Sequence, residues 1–233
     1  MRLAIVSDIH SNLHALEKVL STIDKLGTDQ IYCLGDTVGY GPFPNECVEI
    51  VRERCALIMK GNHDSGVTGE LELDHFNQFG RSAIIWTQKS VTAENLAFLR
   101  NLPLSASDNG CTLAHATPHD PSSWQYILSW KDAKECFESF ATPLAFIGHT
   151  HSPVIIGEDG KINHFRKDCR FLTNVGSVGQ PRDGNPKASF CMVDTTAWKL
   201  EIVRVEYDIE AAAEASLKAR LPDFLAQRLF LGV

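Results

Sequence analysis

The 233-residue chain contains no apolar run approaching the roughly 18 residues of a membrane span. It has seven cysteines, an odd number with no C-x-x-C pair, so neither a self-contained disulfide framework nor a zinc ribbon is indicated. Most of these cysteines sit in apolar stretches such as IYCLG and SFCMV, where a buried free thiol is expected. Basic residues are the scarcer charge, 22 against 29 acidic ones, and the net charge is −7 with no Lys/Arg cluster. That disfavours a broad electrostatic grip on nucleic acid or an anionic membrane, while leaving room for a local cationic site. The N-terminal apolar run, Leu3 to Val6, is too short for a signal-peptide core, so a cytoplasmic location is expected. No low-complexity tract, linker or internal repeat interrupts the chain, and residues 1–233 read as one domain. With 44% hydrophobic and 22% charged residues, the composition is that of an ordinary globular protein.

The first half alternates short apolar runs with helical patterns. Arg2 to Val6, Ile31 to Leu34 and Ala56 to Met59 read as strands. Between them lie a helix capped by Ser11 or Asn12 and ended by Gly27, and another from Asn45 to Arg54 behind Pro44. Such repetition implies right-handed crossovers and a largely parallel sheet. Residues 74–102 read as two helices broken near Ser90–Thr92. A strand at Cys111 to Ala114, a Pro/Ser-rich loop and a helix from Lys131 to Ala141 follow. Six short strands are then expected: Leu144 to Ile147, Pro153 to Ile156, Ile162 to Arg166, Phe171 to Asn174, Ala188 to Asp194 and Lys199 to Glu206. They suggest an antiparallel or mixed sheet, and the chain is helical again from Asp208. Two packed sheets with helices outside are the expected architecture.

The polar residues concentrate where α/β sheets bind ligands, outside the carboxyl ends of strands. Five expected strands end in Asp8-Ile9-His10, Gly35-Asp36, Gly61-Asn62-His63-Asp64, His115 and Gly148-His149-Thr150-His151. Carboxylate, imidazole and amide oxygen together suit Zn, Fe or Mn better than the all-oxygen shells of Ca or Mg. Each block has a bland reading when taken alone. Asp8 can be a helix cap, His115 a satisfied core histidine, and the glycines simple turn residues. Their joint occurrence favours a metal site, with most of the nine histidines in or beside these strand ends.

In that order, the blocks D-x-H, G-D, G-N-H-D, a solitary His and G-H-x-H resemble the signature of the calcineurin-like metallophosphoesterases. The run Asn174 to Asp183 (NVGSVGQPRD) and the ending LPDFLAQRLFLG resemble a small prokaryotic phosphodiesterase branch, so the similarity covers nearly the whole chain. Ser11, Ala116 and Val175 depart from the usual pattern. The resemblance implies a four-layer α-β-β-α sandwich of two mixed β-sheets flanked by helices, with two divalent transition metals between the sheet ends. Mn, Fe and Zn are the leading candidates, with Ni or Co as alternatives. Carried over position by position, Asp8, His10 and His151 would hold one metal, and Asn62, His115 and His149 the other. Asp36 would bridge them. A shared anionic carboxylate and a bridging hydroxide make two cations ~3.5–4 Å apart tolerable.

The resemblance further implies hydrolysis of a phosphate ester, by preference a phosphodiester, through attack of hydroxide held between the metals. His63 occupies the general-acid position, with Asp64 orienting its ring. Arg182 is a candidate phosphate contact, because its fork matches phosphate oxygens; the competing role is an ion pair with Asp183. Asn62 would also face the substrate. Tyr40 is a candidate pocket wall and comes one residue too late for the metal-ligating tyrosine of purple acid phosphatases. Asn12 and His14 are equally well explained by capping and exposure. His119, Trp124 and Tyr126 are expected to pack the Pro/Ser-rich loop on itself, the alternative being a wall that stacks a nucleobase. The expected partner is a small, nucleotide-like phosphorylated substrate, without membrane or nucleic acid. Hydrolysis of phosphoanhydrides such as dinucleoside polyphosphates is the main alternative, and a non-catalytic scaffold a weaker one.

Overall fold

The computed structural model describes residues 1–233. The chain opens with β1 (Arg2–Val6), α1 (Leu13–Leu26), β2 (Gln30–Cys33), α2 (Pro44–Arg54), β3 (Leu57–Ile58) and α3 (Asn62–Thr68). It continues through α4 (Gln78–Ser90), α5 (Ala93–Arg100), β4 (Ser105–Asp108), β5 (Cys111–Ala114), α6 (Trp130–Phe137), β6 (Leu144–Ile147), β7 (Val154–Gly157) and β8 (Phe171–Asn174). It closes with β9 (Ala188–Asp194), β10 (Lys199–Val205), α7 (Ile209–Lys218) and α8 (Asp223–Leu231). No helix is long and apolar enough to cross a membrane.

Two five-stranded sheets result, ordered β10-β9-β1-β2-β3 and β4-β5-β6-β8-β7. Both are mixed. The parallel centre of the first is β1-β2-β3, and β9 pairs antiparallel with β1. The second runs parallel through β5-β6-β8, with antiparallel β4 and β7 at its edges. Alternating side chains on each strand divide the core in two directions. From the first sheet, Leu3, Ile5, Tyr32 and Leu34 meet Leu113, Leu144, Phe146 and Phe171 of the second. The opposite face of the first sheet, with Ala4, Val6, Cys33 and Phe190, packs on Leu16, Val19 and Ile23 of α1 and on Cys47 and Val51 of α2. Beyond the second sheet, Ala145, Ile147 and Leu172 receive Ala133, Cys136 and Phe137 of α6. The layers are therefore α-β-β-α. Each fully buried Leu, Ile or Phe contributes about 1.5–3 kcal/mol to this packing.

Helix α1 illustrates how local sequence sets an element. The Asn12 side chain accepts from the Ala15 N–H at 3.1 Å, while its amide donates to the Gly179 carbonyl at 2.9 Å. At the other end Gly27 turns out of the helix at φ 73°. The cap is thus Asn12, and it also fastens the loop that leads to Arg182.

Four expectations need correction. Residues 162–166 do not form a strand; only an isolated bridge joins Ile162 to Ile156. The β9–β10 hairpin joins the first sheet beside β1, so the late strands are shared between the sheets. Strand β4 is absent from the sequence reading because Ser-Ala-Ser-Asp carries no hydrophobic pattern. Its signal was the turn, Asn109-Gly110, with both residues at positive φ as a type I′ hairpin requires. Finally, Gly61-Asn62-His63-Asp64 starts the short helix α3 and is not merely a strand-end turn.

Candidate metal centre

The loops after β1, β2, β5, β6 and β8 are laced to one another by backbone hydrogen bonds. The N–H groups of Asp8, His10 and Ser11 donate to Gly35, Asp36 and Thr37 at 3.0, 2.9 and 3.0 Å. Gly148 donates to His115 at 2.8 Å, Gly179 to Asp8 at 2.9 Å, and Arg182 to His151 at 3.2 Å. Of the non-glycine residues at positive φ, Asp8, His10, Ser11, Asp36, Tyr40, His149 and His151 all belong to these loops. Each such conformation costs roughly 1–2 kcal/mol for an L-residue, so strain is concentrated at one place in the molecule.

There the donor atoms of Asp8, His10 and His151 lie within 4.8 Å of one another, as do those of Asp36, His115 and His149. A third group of the same compactness joins His10, Asp36 and His63. Asp36 lies between the first two sets, its Oδ2 3.6 Å from His10 Nε2 and 3.3 Å from His115 Nε2. Asp8 Oδ2 accepts from the His149 N–H at 2.9 Å, and its Oδ1 lies 3.1 Å from His151 Nε2.

The tautomers follow from the outward nitrogens. His10 Nδ1 faces the Val38 carbonyl at 3.2 Å, His115 Nδ1 that of Leu34 at 3.2 Å, His151 Nδ1 that of Gln180 at 2.5 Å and His149 Nε2 that of Trp124 at 3.0 Å. A carbonyl only accepts, so each outward nitrogen carries the proton. In the neutral rings the inward nitrogens are then lone pairs. They face each other, His10 Nε2 to His151 Nε2 at 3.1 Å and His115 Nε2 to His149 Nδ1 at 3.2 Å, beside two carboxylates. Buried Asp8 Oδ1 and Asn62 Oδ1 have no hydrogen-bond donor. Such an assembly of buried acceptors is costly unless cations join it. The donor set of imidazole, carboxylate and one amide oxygen fits two transition-metal ions, and backbone-anchored imidazoles are how proteins orient metal ligands.

Electrostatics agrees with this crowding. Burial pushes His149 down to about 3, with repulsion from His115 adding to it. His10 and His151 are also lowered by burial. Burial likewise disfavours charge on His115, yet the carboxylates of Asp36 and Asp8 raise it to about 9. Asp8 and Asp36 are held below the ordinary carboxylate range, the surrounding histidines outweighing burial.

His63 is buried against Tyr40, His10 and Phe76, with ring centroids 4.4, 4.8 and 5.0 Å away. A Cβ on Gly39, which sits at φ +93°, would come within 2.5 Å of His63 Nδ1. Asp64 does not orient this ring, contrary to the sequence expectation. Its carboxylate accepts the N–H groups of Asp36, Val38 and Gly61 at 2.9, 3.2 and 2.9 Å and so ties the loop after β2 to the start of α3. His63 Nδ1 is left without a partner.

Arg182 does not pair with Asp183, which bonds Arg204 instead. Its guanidinium donates to Gln180 Oε1 at 2.9 Å and lies 5.6 Å from the Tyr40 ring centroid, while its buried Nε is unpartnered. Tyr40 also lines a narrow cavity of about 20 Å³ with His10, His14, Gln180, Leu225 and Leu229. Two aromatic residues of the Pro/Ser-rich loop meet the metal-type residues, while Ser122 and Ser123 bond back to Asp120 within the loop. Trp124 gives its carbonyl to His149, and Tyr126 stacks on the His149 ring at 4.0 Å.

The family model for the calcineurin-like phosphoesterase superfamily domain matches residues 1–197 of the chain. The chain belongs to this superfamily. Membership makes it a metallophosphoesterase, a hydrolase acting on ester bonds, and the superfamily depends on a two-metal centre. The chain is 46% identical over 240 residues to the uncharacterized protein MJ0912 of Methanocaldococcus jannaschii, covering 99% of this chain and 98% of that one. It is 29% identical over 204 residues to the phosphodiesterase YfcE of Escherichia coli K12, covering 83% and 88% of the two chains. The solved structure of a metallophosphoesterase from Sphaerobacter thermophilus superposes with a TM-score of 0.90 at 42% identity, over 100% and 99% of the two chains.

Proposed function

We propose that this metallophosphoesterase is a phosphodiesterase acting on a small, nucleotide-like ester in the cytoplasm, and that its 233 residues work as one domain. The observation that carries the reading is the set of four imidazoles whose protons are committed to backbone carbonyls while their lone pairs converge on Asp8 and Asp36. Asp8, His10 and His151 would hold one ion and Asn62, His115 and His149 the other, with Asp36 available to both; Mn, Fe or Zn would suit these donors. When bound, the ions supply an activated water nucleophile near neutral pH and offset charge on the phosphoryl group.

The remaining work belongs to the chain. Arg182, without a carboxylate partner, forks onto phosphoryl oxygens and fixes the ester in line. His63 reaches the leaving oxygen and gives it a proton, its ring held upright by Gly39, Tyr40 and Phe76. Burial pushes His63 down to about 4, against the pull of Asp36. The negative charge of a bound ester is therefore needed to keep its proton in place. Asp64 keeps Asp36 and Asn62 in register through three backbone N–H groups. Seven free thiols, five of them buried, support the cytoplasmic setting.

The test is hydrolysis of bis-p-nitrophenyl phosphate against p-nitrophenyl phosphate by metal-stripped protein reloaded with Mn²⁺. Faster cleavage of the diester, reduced at least about 10²-fold in Asp36→Asn, is expected. Faster cleavage of the monoester would replace the diester preference, and turnover of neither would move the reading to phosphoanhydrides.

A further inference from the structure

Between β5 and α6 the chain makes an irregular excursion, residues 115–129, whose packing is not what an ordinary surface loop shows. Asp120 closes a turn by accepting from Ser122 and Ser123 at 2.8 and 2.8 Å. Trp124 then takes a left-handed conformation at φ 54°, which a bulky residue adopts only when its surroundings compel it. The consequence of that turn is twofold. The Trp124 carbonyl meets His149 Nε2 at 3.0 Å, and the next residues are aimed across the metal-type cluster. Ile127 points inward and is buried with Ala133 and Phe137, anchoring the loop on α6. Tyr126 points the other way. Its ring lies nearly parallel to that of His149, 26° between planes with centroids 4.0 Å apart, yet the residue remains 46% exposed. A tyrosine that sought only burial would join the Ile127 cluster. Here one face covers a candidate metal ligand and the hydroxyl finds no hydrogen-bond partner in the chain. Beyond burial, the charge of Arg182 acts on that hydroxyl, as do Tyr40, Asp36 and Asp8, so it lies within the field of the candidate centre.

We propose that Tyr126 is a substrate-binding residue of this site: its ring seats on His149, and its hydroxyl donates a hydrogen bond to a phosphoryl oxygen of the bound ester from the side facing Arg182. The proposal rests on the phosphodiesterase reading. It divides the contacts to the ester between a fixed cation from the loop after β8 and a neutral donor from the loop after β5. A phenol donates without adding a charge to a site that already balances two carboxylates against its cations. Its two rotatable side-chain bonds also make it inexpensive to order.

Tyr126→Phe keeps the ring on His149 and deletes only the donor; Tyr126→Ala removes both. The probe is inorganic phosphate, titrated calorimetrically into Mn²⁺-loaded protein, with metal content measured on the same samples. Tyr126→Phe is expected to keep full metal content and to weaken phosphate binding about tenfold, as loss of a hydrogen bond to a charged group does. KM for bis-p-nitrophenyl phosphate should rise in step. Tyr126→Ala is expected to weaken phosphate binding at least as much and to lower metal content in addition. Unchanged phosphate affinity in Tyr126→Phe, with wild type binding and cleaving normally, overturns the proposal alone. A wild-type protein that neither binds phosphate nor cleaves either ester overturns the reading beneath it, and the proposal with it.

Discussion

Each imidazole around the candidate centre uses one nitrogen to fix its own orientation and leaves the other free to bind, so the outer carbonyls matter as much as the rings. His63 is built differently: it has neighbours on every side but no partner for Nδ1. That unpartnered nitrogen is what the proposed acid role of His63 requires. His63→Gln is expected to slow hydrolysis of an ester with an alkyl leaving group by about 10²-fold or more, the scale of general acid catalysis. With p-nitrophenolate, which departs without a proton, the loss should be only a few-fold; equal losses on both would remove the acid role. At this scale the sequence was most legible where chemistry lies in contiguous blocks. D-x-H, G-N-H-D and G-H-x-H announce themselves because ligands two residues apart can converge just past a strand. Asp64 and Tyr126 were misjudged because their partners come from distant segments: the backbone of residues 36 and 38 for one, the ring of His149 for the other.

Among the elements, the central strands and their helices were readable because a buried parallel strand is a short apolar run and α1 carries a full apolar stripe. Strand β4 and helix α3 were not. The first is an edge strand of four polar or small residues held by its hairpin partner, and the second is a seven-residue helix with ligand-type residues in its first turn. Both are set by tertiary contacts and not by propensity. The turn out of β6 shows how tightly such contacts bind the site to the sheets. A Cβ on Gly148 would strike Ser7 Oγ and the Asp8 carboxylate. Gly148→Ala must therefore push β1 and β6 apart at their carboxyl ends. We expect a loss of about 1–3 kcal/mol in unfolding free energy, the usual cost of overpacking. Metal content should fall as well, because Asp8 is displaced. Denaturant titration and metal analysis of the same variant check both; an intact metal content would show that the loops absorb the methyl group without moving Asp8.

The two sheets and the centre between them form one thermodynamic system, because the acceptors that would hold cations are also those that the fold must bury. In metal-stripped protein a proton stands in for the missing positive charge, and His115 is where it is held, raised to about 9 from the ordinary 6.5 by Asp36 and Asp8. A group bound more tightly by protons in the folded state than in the unfolded state stabilises fully below its unfolded pKa. That contribution disappears as pH rises through the folded value. The window is thus pH 6.5 to about 9, and the contribution lost is on the order of 3 kcal/mol. Asp64, raised to about 7 from 3.8 by burial and by the charge of Asp36, acts with the same sign at lower pH. Its contribution is lost between about pH 4 and 7. Bound cations replace the His115 proton and leave nothing to titrate in that range. Thermal unfolding of chelator-treated protein should therefore shift to lower temperature between pH 6.5 and 9, while Mn²⁺-loaded protein changes little. The stabilisation conferred by metal should accordingly widen with pH, as linkage between proton release and metal binding demands. A gap that narrowed as pH rose would mean that His115 is not where the centre keeps its proton, and that Asp36 does not share its charge with that ring.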